Sequence, residues 1–189
     1  MANGEGAKPA ANIVHSYVNA GMAPITRAND PFWNIRALIK SLKFDYILSN
    51  PAASFRSLHE SLINYGNNKQ PEFLTCMHEE SAVGMAHGYF KIAGRPLSVL
   101  LHGTVGLQHA SMAIYNAWCD RVPVVVIGGN HLDASRRPPG VPTFHAAQDP
   151  NAIVRDFTKW DDQPVSLSHF AESMVRAYRI SMTPPMSRS

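Results

Sequence analysis

The feature that most constrains the fold is a regular alternation between short, mostly apolar runs and longer segments with helical spacing. The apolar runs cover residues 44–49, 72–77, 97–101 and 122–127. Apolar runs that do not alternate with polar residues are typical of parallel strands buried on both faces, and parallel strands need helical crossovers between them. The sequence therefore predicts an α/β fold with a doubly wound, mostly parallel sheet and helices on both faces.

Helices are predicted before, between and after these strands. The predicted helices cover residues 10–22, 32–42, 55–62 and 110–118, together with the apolar stripe of Val83, Ala86, Phe90 and Ala93. Gly94 is expected to end the striped helix, because glycine readily adopts the left-handed conformation that closes a helix. A glycine-bearing turn is predicted at residues 103–106, before the helix over residues 110–118.

The last third of the chain has a less regular pattern. Prolines at positions 138, 139, 142 and 150 predict a long loop after Gly128. A short edge strand is expected near residues 157–160. A final helix is expected to carry on one face Leu167, Phe170, Met174, Ala177 and Tyr178.

Charge and composition exclude several classes of protein. The 189 residues carry a formal net charge of +3, but only Arg136 and Arg137 are adjacent basic residues, so nucleic-acid binding is not expected. The apolar runs are far shorter than the roughly 20 residues that span a bilayer, and the first residues lack the pattern of a secretory signal. We therefore expect a cytoplasmic protein without membrane contact, with Cys76 and Cys119 as buried free thiols.

Candidate site residues follow each predicted strand, because ligands of open parallel sheets bind outside the carboxyl ends of the strands. These residues are Asn50-Pro51, His78-Glu79-Glu80, His102-Gly103-Thr104 and Gly128-Gly129-Asn130. Carboxylates occur in the second set alone. Position also gives Glu79 and Glu80 a structural explanation, since acidic side chains stabilise the positive end of a helix dipole by about 0.3 to 1 kcal/mol.

Three linked motifs give the chain a family resemblance. The segment from His78 to Tyr89, with its Ala-x-Gly-Tyr ending, resembles the segment of thiamine-diphosphate enzymes in which a strand delivers one glutamate to the cofactor. Gly94-Arg95-Pro96 and Asn116-Ala117-Trp118 follow at family-like spacing, each leading into an apolar strand. Residues 10–185 therefore resemble the N-terminal, pyrimidine-binding domain of this family, most closely that of decarboxylases and acetolactate-synthase-like enzymes.

The resemblance implies particular roles for the candidate residues. Glu79 would be catalytic, its carboxyl hydrogen-bonded to N1′ of the cofactor's aminopyrimidine, and Asn50, Pro51 and Gly103 would also contact thiamine diphosphate. His102 would be a second catalytic residue, as its pairing with Asn116-Ala117-Trp118 is similar to benzoylformate decarboxylase, although a structural histidine bonded to a backbone carbonyl is the alternative.

Two positions depart from the family pattern. Ala52 and Ala53 follow Asn50-Pro51 where relatives carry a glycine and a small polar residue, so a substrate-binding hydroxyl is expected to be missing. His109 replaces a usual asparagine. It is expected to be a surface or packing residue together with His78, His87, His131 and His145, and their spacing predicts no zinc site.

The resemblance also implies parts that this sequence lacks. The family holds the diphosphate through Mg²⁺ with a Gly-Asp-Gly segment in another domain, and no such segment occurs here. We expect about one of three domains, with residues 1–9 a disordered tail, residues 186–189 a tail outside the family pattern, and the last strand of the sheet missing. Such a chain is expected to be inactive alone.

Several alternatives remain open at this point. The chain is expected to work within a homo-oligomer or with a complementing diphosphate-binding chain, on a 2-oxo acid in the complete enzyme. It is otherwise a non-catalytic fragment, or a regulatory or dimerisation module of the same fold. A flavodoxin-like or nucleotide-binding domain is the alternative outside the family, but the turns lack the glycine spacing of a phosphate cradle.

Overall fold

The computed structural model describes residues 37–129, 147, 149–164 and 166–184. Its strands are β1 (Tyr46–Ser49), β2 (Glu72–Thr75), β3 (Ser98–Leu101) and β4 (Val125–Gly128). Its helices are α1 (Arg56–Glu60), α2 (Glu79–Ala93), α3 (Gly103–Cys119) and α4 (Leu167–Met182). The predictions for residues 1–9, 10–22 and 186–189, and for the start of the helix over 32–42, lie outside the described residues. Residues 37–41 of that helix are helical.

The four described strands form one parallel sheet in the order β2-β1-β3-β4. Ile47 of β1 pairs with Phe73 of β2 on one side and with Ser98 of β3 on the other. Leu100 of β3 pairs with Ile127 of β4. In this order the chain turns from one side of β1 to the other between β2 and β3, which places a topological switch point between β1 and β3.

Helices cover both faces of this sheet, because neighbouring strand residues point to opposite sides. On one face Ile47 and Leu100 pack in a core with Leu58 of α1 and Met174 of α4. On the other face the core contains Leu48, Val99, Leu101, Val83 of α2 and Leu107 of α3. The predicted doubly wound α/β fold is therefore confirmed.

Glycines mark one end of α2 and one end of α3. The end of α2 was predicted correctly, and the start of α3 was not. Gly94 ends α2 in the left-handed conformation, with φ 65° and its N–H donating to the carbonyl of Phe90 at 2.8 Å. The predicted turn at residues 103–106 is wrong, because α3 already begins at Gly103. The N–H of Gly106 donates to the carbonyl of His102 at 2.7 Å, so these glycines form the first helical turn rather than a loop.

The predicted edge strand near residues 157–160 is also wrong. Residues Arg155–Phe157 form a 3₁₀ turn, in which Arg155 bonds to Asp149 at 2.8 Å and to Asp161 at 3.0 Å and so folds the segment on itself. The ring of Phe157 packs edge-on against Tyr115 of α3, at 5.7 Å between ring centroids, and not along a strand.

The predictions for the last helix and for the cysteines have mixed outcomes. The face of α4 packs on the core through Phe170, Met174, Ala177 and Tyr178, as expected. Cys76 is buried, but Cys119 is exposed at the end of α3, which corrects the second cysteine prediction.

Among the helices of the described ranges, none is long and apolar enough to cross a membrane.

Candidate functional site

The carboxyl ends of the strands bring most of the candidate residues to one edge of the sheet. Asn50 follows β1 and His102 follows β3, so the two flank the topological switch point. Glu79 is the first residue of α2, soon after β2, and Gly129 follows β4. This edge is where an open parallel sheet offers a ligand site.

Glu79 is the buried carboxylate of this edge, with only 4% of its surface exposed. Its carboxylate accepts hydrogen bonds from its own backbone N–H and from the side chain of Asn50. Nδ1 of His109, from the second turn of α3, lies 3.4 Å from Oε2 of Glu79. Its neighbour Glu80 is exposed, so the two carboxylates have different environments although both begin α2.

The pKa of Glu79 reflects opposing effects that the sequence could not rank. Burial acts to raise the pKa, because the charged form loses its hydration. The hydrogen bonds from its own N–H, from Asn50 and from His109, together with the charge of His109, outweigh burial and place the pKa below the ordinary value. The carboxyl of the free chain is therefore ionised at neutral pH.

Two histidines stand beside this carboxylate. The rings of His78 and His109 stack with 4.8 Å between their centroids and 20° between their planes. Nδ1 of His78 accepts a hydrogen bond from the backbone N–H of Glu80 at 3.2 Å, which caps the start of α2. His109 thus contacts the predicted catalytic carboxylate and is more than the surface or packing residue expected from the sequence.

His102 lies at the end of β3 and is held by a hydroxyl from the loop after β1. Its Nδ1 lies 2.9 Å from Oγ of Ser54, and the N–H of Gly103 lies 3.5 Å from the same oxygen. The loop after β1 thus carries a hydroxyl at Ser54, four residues after Asn50. The expected absence of a substrate-binding hydroxyl at positions 52 and 53 stays a prediction. At least one partner of the His102 ring is therefore a side chain, whereas the structural alternative from the sequence named a backbone carbonyl.

Gly106 explains how Glu79 and His102 come close together. A methyl group at its α carbon would lie 3.5 Å from Cγ of Glu79 and 3.3 Å from both Cβ of His102 and the carbonyl carbon of Leu101. Glycine at this position therefore lets the start of α3 pack between the two predicted catalytic residues.

Gly129 lies so close to the loop after β1 that a side chain cannot be added without movement. A Cβ there would stand 2.8 Å from the backbone oxygen of Ser54 and would overlap the Ser54 side chain. We expect Gly129→Ala to lower the free energy of unfolding by about 1 to 3 kcal/mol and to shift the ring resonances of His102, as measured by urea denaturation and NMR. Gly128→Ala is the matched control, since its Cβ would meet Leu107 at an ordinary 3.8 Å. Equal effects of the two variants would contradict the prediction.

Pro51 and Gly103, the remaining residues predicted to contact the cofactor, differ in their exposure to solvent. Pro51 is exposed beside Asn50, whereas Gly103 is buried at the start of α3. The contacts that sequence reasoning missed are those of His109 with Glu79 and of Ser54 with His102. One signal for His109 was present, because Gly106 and His109 are three residues apart and share a face of α3.

Comparison with known proteins assigns the chain to a class. The family described as "Thiamine pyrophosphate enzyme, N-terminal TPP binding domain" matches residues 35–153, which is more than half of the chain. The protein therefore belongs to the thiamine-diphosphate enzyme family. The matching model describes the N-terminal domain of enzymes in this family.

Individual relatives agree with this assignment. Benzoylformate decarboxylase of Pseudomonas aeruginosa is 28% identical over 131 residues, covering 65% of this chain and 24% of the relative. Acetolactate synthase of Bacillus subtilis is 24% identical over 136 residues, covering 72% of this chain and 22% of the relative. The crystal structure of benzoylformate decarboxylase from Polynucleobacter necessarius superposes with a TM-score of 0.69 at 19% identity, covering 82% of this chain and 28% of that one, and supports the fold. The chain spans about a quarter of the length of these relatives.

Proposed function

We propose that this chain forms the pyrimidine half of a thiamine-diphosphate site, in a decarboxylase or acetolactate-synthase-like carboligase that acts on a 2-oxo acid. Glu79 is the residue whose carboxyl bonds to N1′ of the aminopyrimidine. The observation that carries the proposal is the buried carboxylate of Glu79, 4% exposed, at the ligand-binding edge of a sheet of this family. Bound thiamine diphosphate would supply a carbon nucleophile for the carbonyl of a 2-oxo acid and an electron sink for its decarboxylation.

The donor set of the site fits an aminopyrimidine ring. A ring nitrogen that accepts a hydrogen bond needs a protonated carboxyl. In the free chain the pKa of Glu79 lies below its ordinary value, because hydrogen bonds from its own N–H, Asn50 and His109 outweigh burial. Covering this edge with ligand and a second chain would exclude water and raise the pKa of Glu79 toward the protonated form. His109, with Nδ1 at 3.4 Å from the carboxylate, is positioned to exchange that proton.

Asn50 and His102 have supporting roles in this proposal. Asn50 orients the Glu79 carboxylate by hydrogen bonding, and this bond keeps the side chain in place as its charge changes. His102 is held by Ser54 at 2.9 Å beside Gly106, so its ring has a fixed position near Glu79 from which it can orient or protonate a bound 2-oxo acid. Pro51 and Gly103 line the same edge.

A second chain is part of the proposal because exposed apolar side chains begin beside the site and continue along α2. Met77 is 95% exposed just before α2, and Ile92 is 91% exposed. Met85 is also exposed and lies seven residues before Ile92, on the same face of α2. A surface of this kind supports contact with a diphosphate-binding domain, from another copy or another chain, which would hold the diphosphate through Mg²⁺.

Calorimetric titration tests the proposed half-site. Thiamine diphosphate with Mg²⁺ is added to the purified chain alone, and then to the chain mixed with the diphosphate-binding domain of the Pseudomonas aeruginosa relative. We expect binding in the mixture only, with an affinity that falls by about two- to tenfold in Glu79→Gln, since a hydrogen bond between neutral groups contributes roughly 0.5 to 1.5 kcal/mol.

The control is Glu80→Gln, which removes the exposed neighbouring carboxylate and should leave the affinity unchanged. Absence of binding from a mixture in which the chain is folded would contradict the proposal. That result would favour the non-catalytic alternatives, a remnant or a dimerisation module.

A further inference from the structure

The side chains of His78, Glu79 and His109 form a compact group of metal-ligand type. One ligand atom from each residue lies within 4.8 Å of the others, and no other group of three or more such residues occurs in the part of the chain that the structure describes. His78 and Glu79 come from the start of α2, whereas His109 comes from α3. The group is therefore created by the packing of two helices, and the spacing along the sequence does not reveal it.

Two imidazoles and one carboxylate are the donor set of many zinc sites that keep an open position, whereas Mg²⁺ and Ca²⁺ prefer oxygen ligands throughout. We propose that His78, Glu79 and His109 bind a divalent transition-metal ion, with Zn²⁺ as the physiological candidate. This site is distinct from the Mg²⁺ that would accompany the diphosphate. Because Glu79 is also the proposed partner of the aminopyrimidine, the ion and the cofactor would compete for its carboxylate.

The structure supports this proposal through accessibility and orientation. The side chain of Glu79 is 5% exposed and that of His109 is 56% exposed, so the site has a buried anchor and an open entrance. Asn50 bonds to the Glu79 carboxylate, which is the kind of outer contact that orients metal ligands. These features leave one side of the group open for an ion and a water molecule.

Binding requires the three ligand atoms to move closer together. Ligand atoms around a tetrahedral Zn²⁺ are roughly 3.3 Å apart, given bonds near 2.0 to 2.1 Å, so the present separations of up to 4.8 Å must shorten. The stacked rings of His78 and His109, whose planes differ by 20°, can turn their nitrogens toward one point by rotating about their side-chain bonds. His78 would exchange its capping bond to the N–H of Glu80, which at 3.2 Å is long, for a bond to the ion.

Cobalt provides the test, because its visible absorption reports tetrahedral coordination by nitrogen and oxygen. The purified full chain is titrated with Co²⁺, and Mg²⁺ and then Zn²⁺ are added as competitors. We expect one equivalent of Co²⁺ with tetrahedral absorption, displaced by Zn²⁺ and not by Mg²⁺. The affinity should fall at least tenfold in each of His78→Asn, His109→Asn and Glu79→Gln.

His87→Asn is the matched control, because His87 also contacts a carboxylate, Asp120 at 2.9 Å, but belongs to no such group. Its affinity for Co²⁺ should equal that of the unchanged chain, and circular dichroism verifies that every variant is folded. The proposal is overturned if no ion binds, if any one of the three ligand variants keeps full affinity, or if His87→Asn loses affinity equally. Failure of this test leaves the cofactor titration unaffected, so the two proposals are judged separately.

Discussion

Replacing Glu79 by glutamine is expected to slow the exchange of the C2 proton of bound thiamine diphosphate by about 10²- to 10⁴-fold, the usual contribution of a positioned acid or base. Glutamine keeps the shape of the side chain and its hydrogen bond to Asn50, but it cannot gain or lose a proton at the bound pyrimidine. The measurement is hydrogen–deuterium exchange followed by NMR. It uses the chain complemented by the diphosphate-binding domain of a relative, at saturating cofactor.

Glu80→Gln is the control for this experiment, because Glu80 occupies the same helical turn but is exposed. Its exchange rate should stay within a factor of about two of the unchanged chain, since loss of a helix-start carboxylate costs only about 0.3 to 1 kcal/mol of stability. A Glu79→Gln rate equal to that of the unchanged chain would show that activation does not pass through this carboxyl. The proposed role of Glu79 would then be wrong even if the cofactor binds.

Replacing Leu100 by alanine is expected to lower the free energy of unfolding by about 2 to 5 kcal/mol, the range for a large buried aliphatic side chain cut back to alanine. Leu100 is fully buried in β3, between β1 and β4. Its side chain packs in the core that α1 and α4 cover, so the truncation leaves a cavity that cannot collapse easily. Because single domains are stable by only about 5 to 15 kcal/mol, this variant should lose a large share of its stability.

Urea denaturation measures this loss as a shift of the midpoint, with Ile92→Ala as the matched control. Ile92 is 91% exposed on α2, so its truncation should change the free energy of unfolding by no more than about 0.5 kcal/mol. If both variants lost a similar free energy of unfolding, burial of Leu100 between the sheet and the helices would not be what stabilises the fold.

The sequence identified some residues of the candidate site and missed others. Glu79 and Asn50 were identified because they follow strands, and the structure brings them into direct contact. The hydroxyl that bonds to His102 was missed, because Ser54 lies 48 residues away from it along the chain and beyond the usual motif position. An edge strand was predicted near residues 157–160, whereas ion pairs of Arg155 with Asp149 and Asp161 stabilise a turn there instead.

The sequence by itself determined the family and the parallel α/β fold, and it predicted Glu79 as the candidate carboxylate of the site. These features are local, because strand and helix periodicity and the motif around Glu79 are each contained within a few turns of chain. Only the tertiary structure decided that His109, 30 residues after Glu79, contacts its carboxylate and joins His78 beside it. That contact depends on the packing of α2 against α3 around Gly106, and no spacing along one chain segment encodes the distance between two helices.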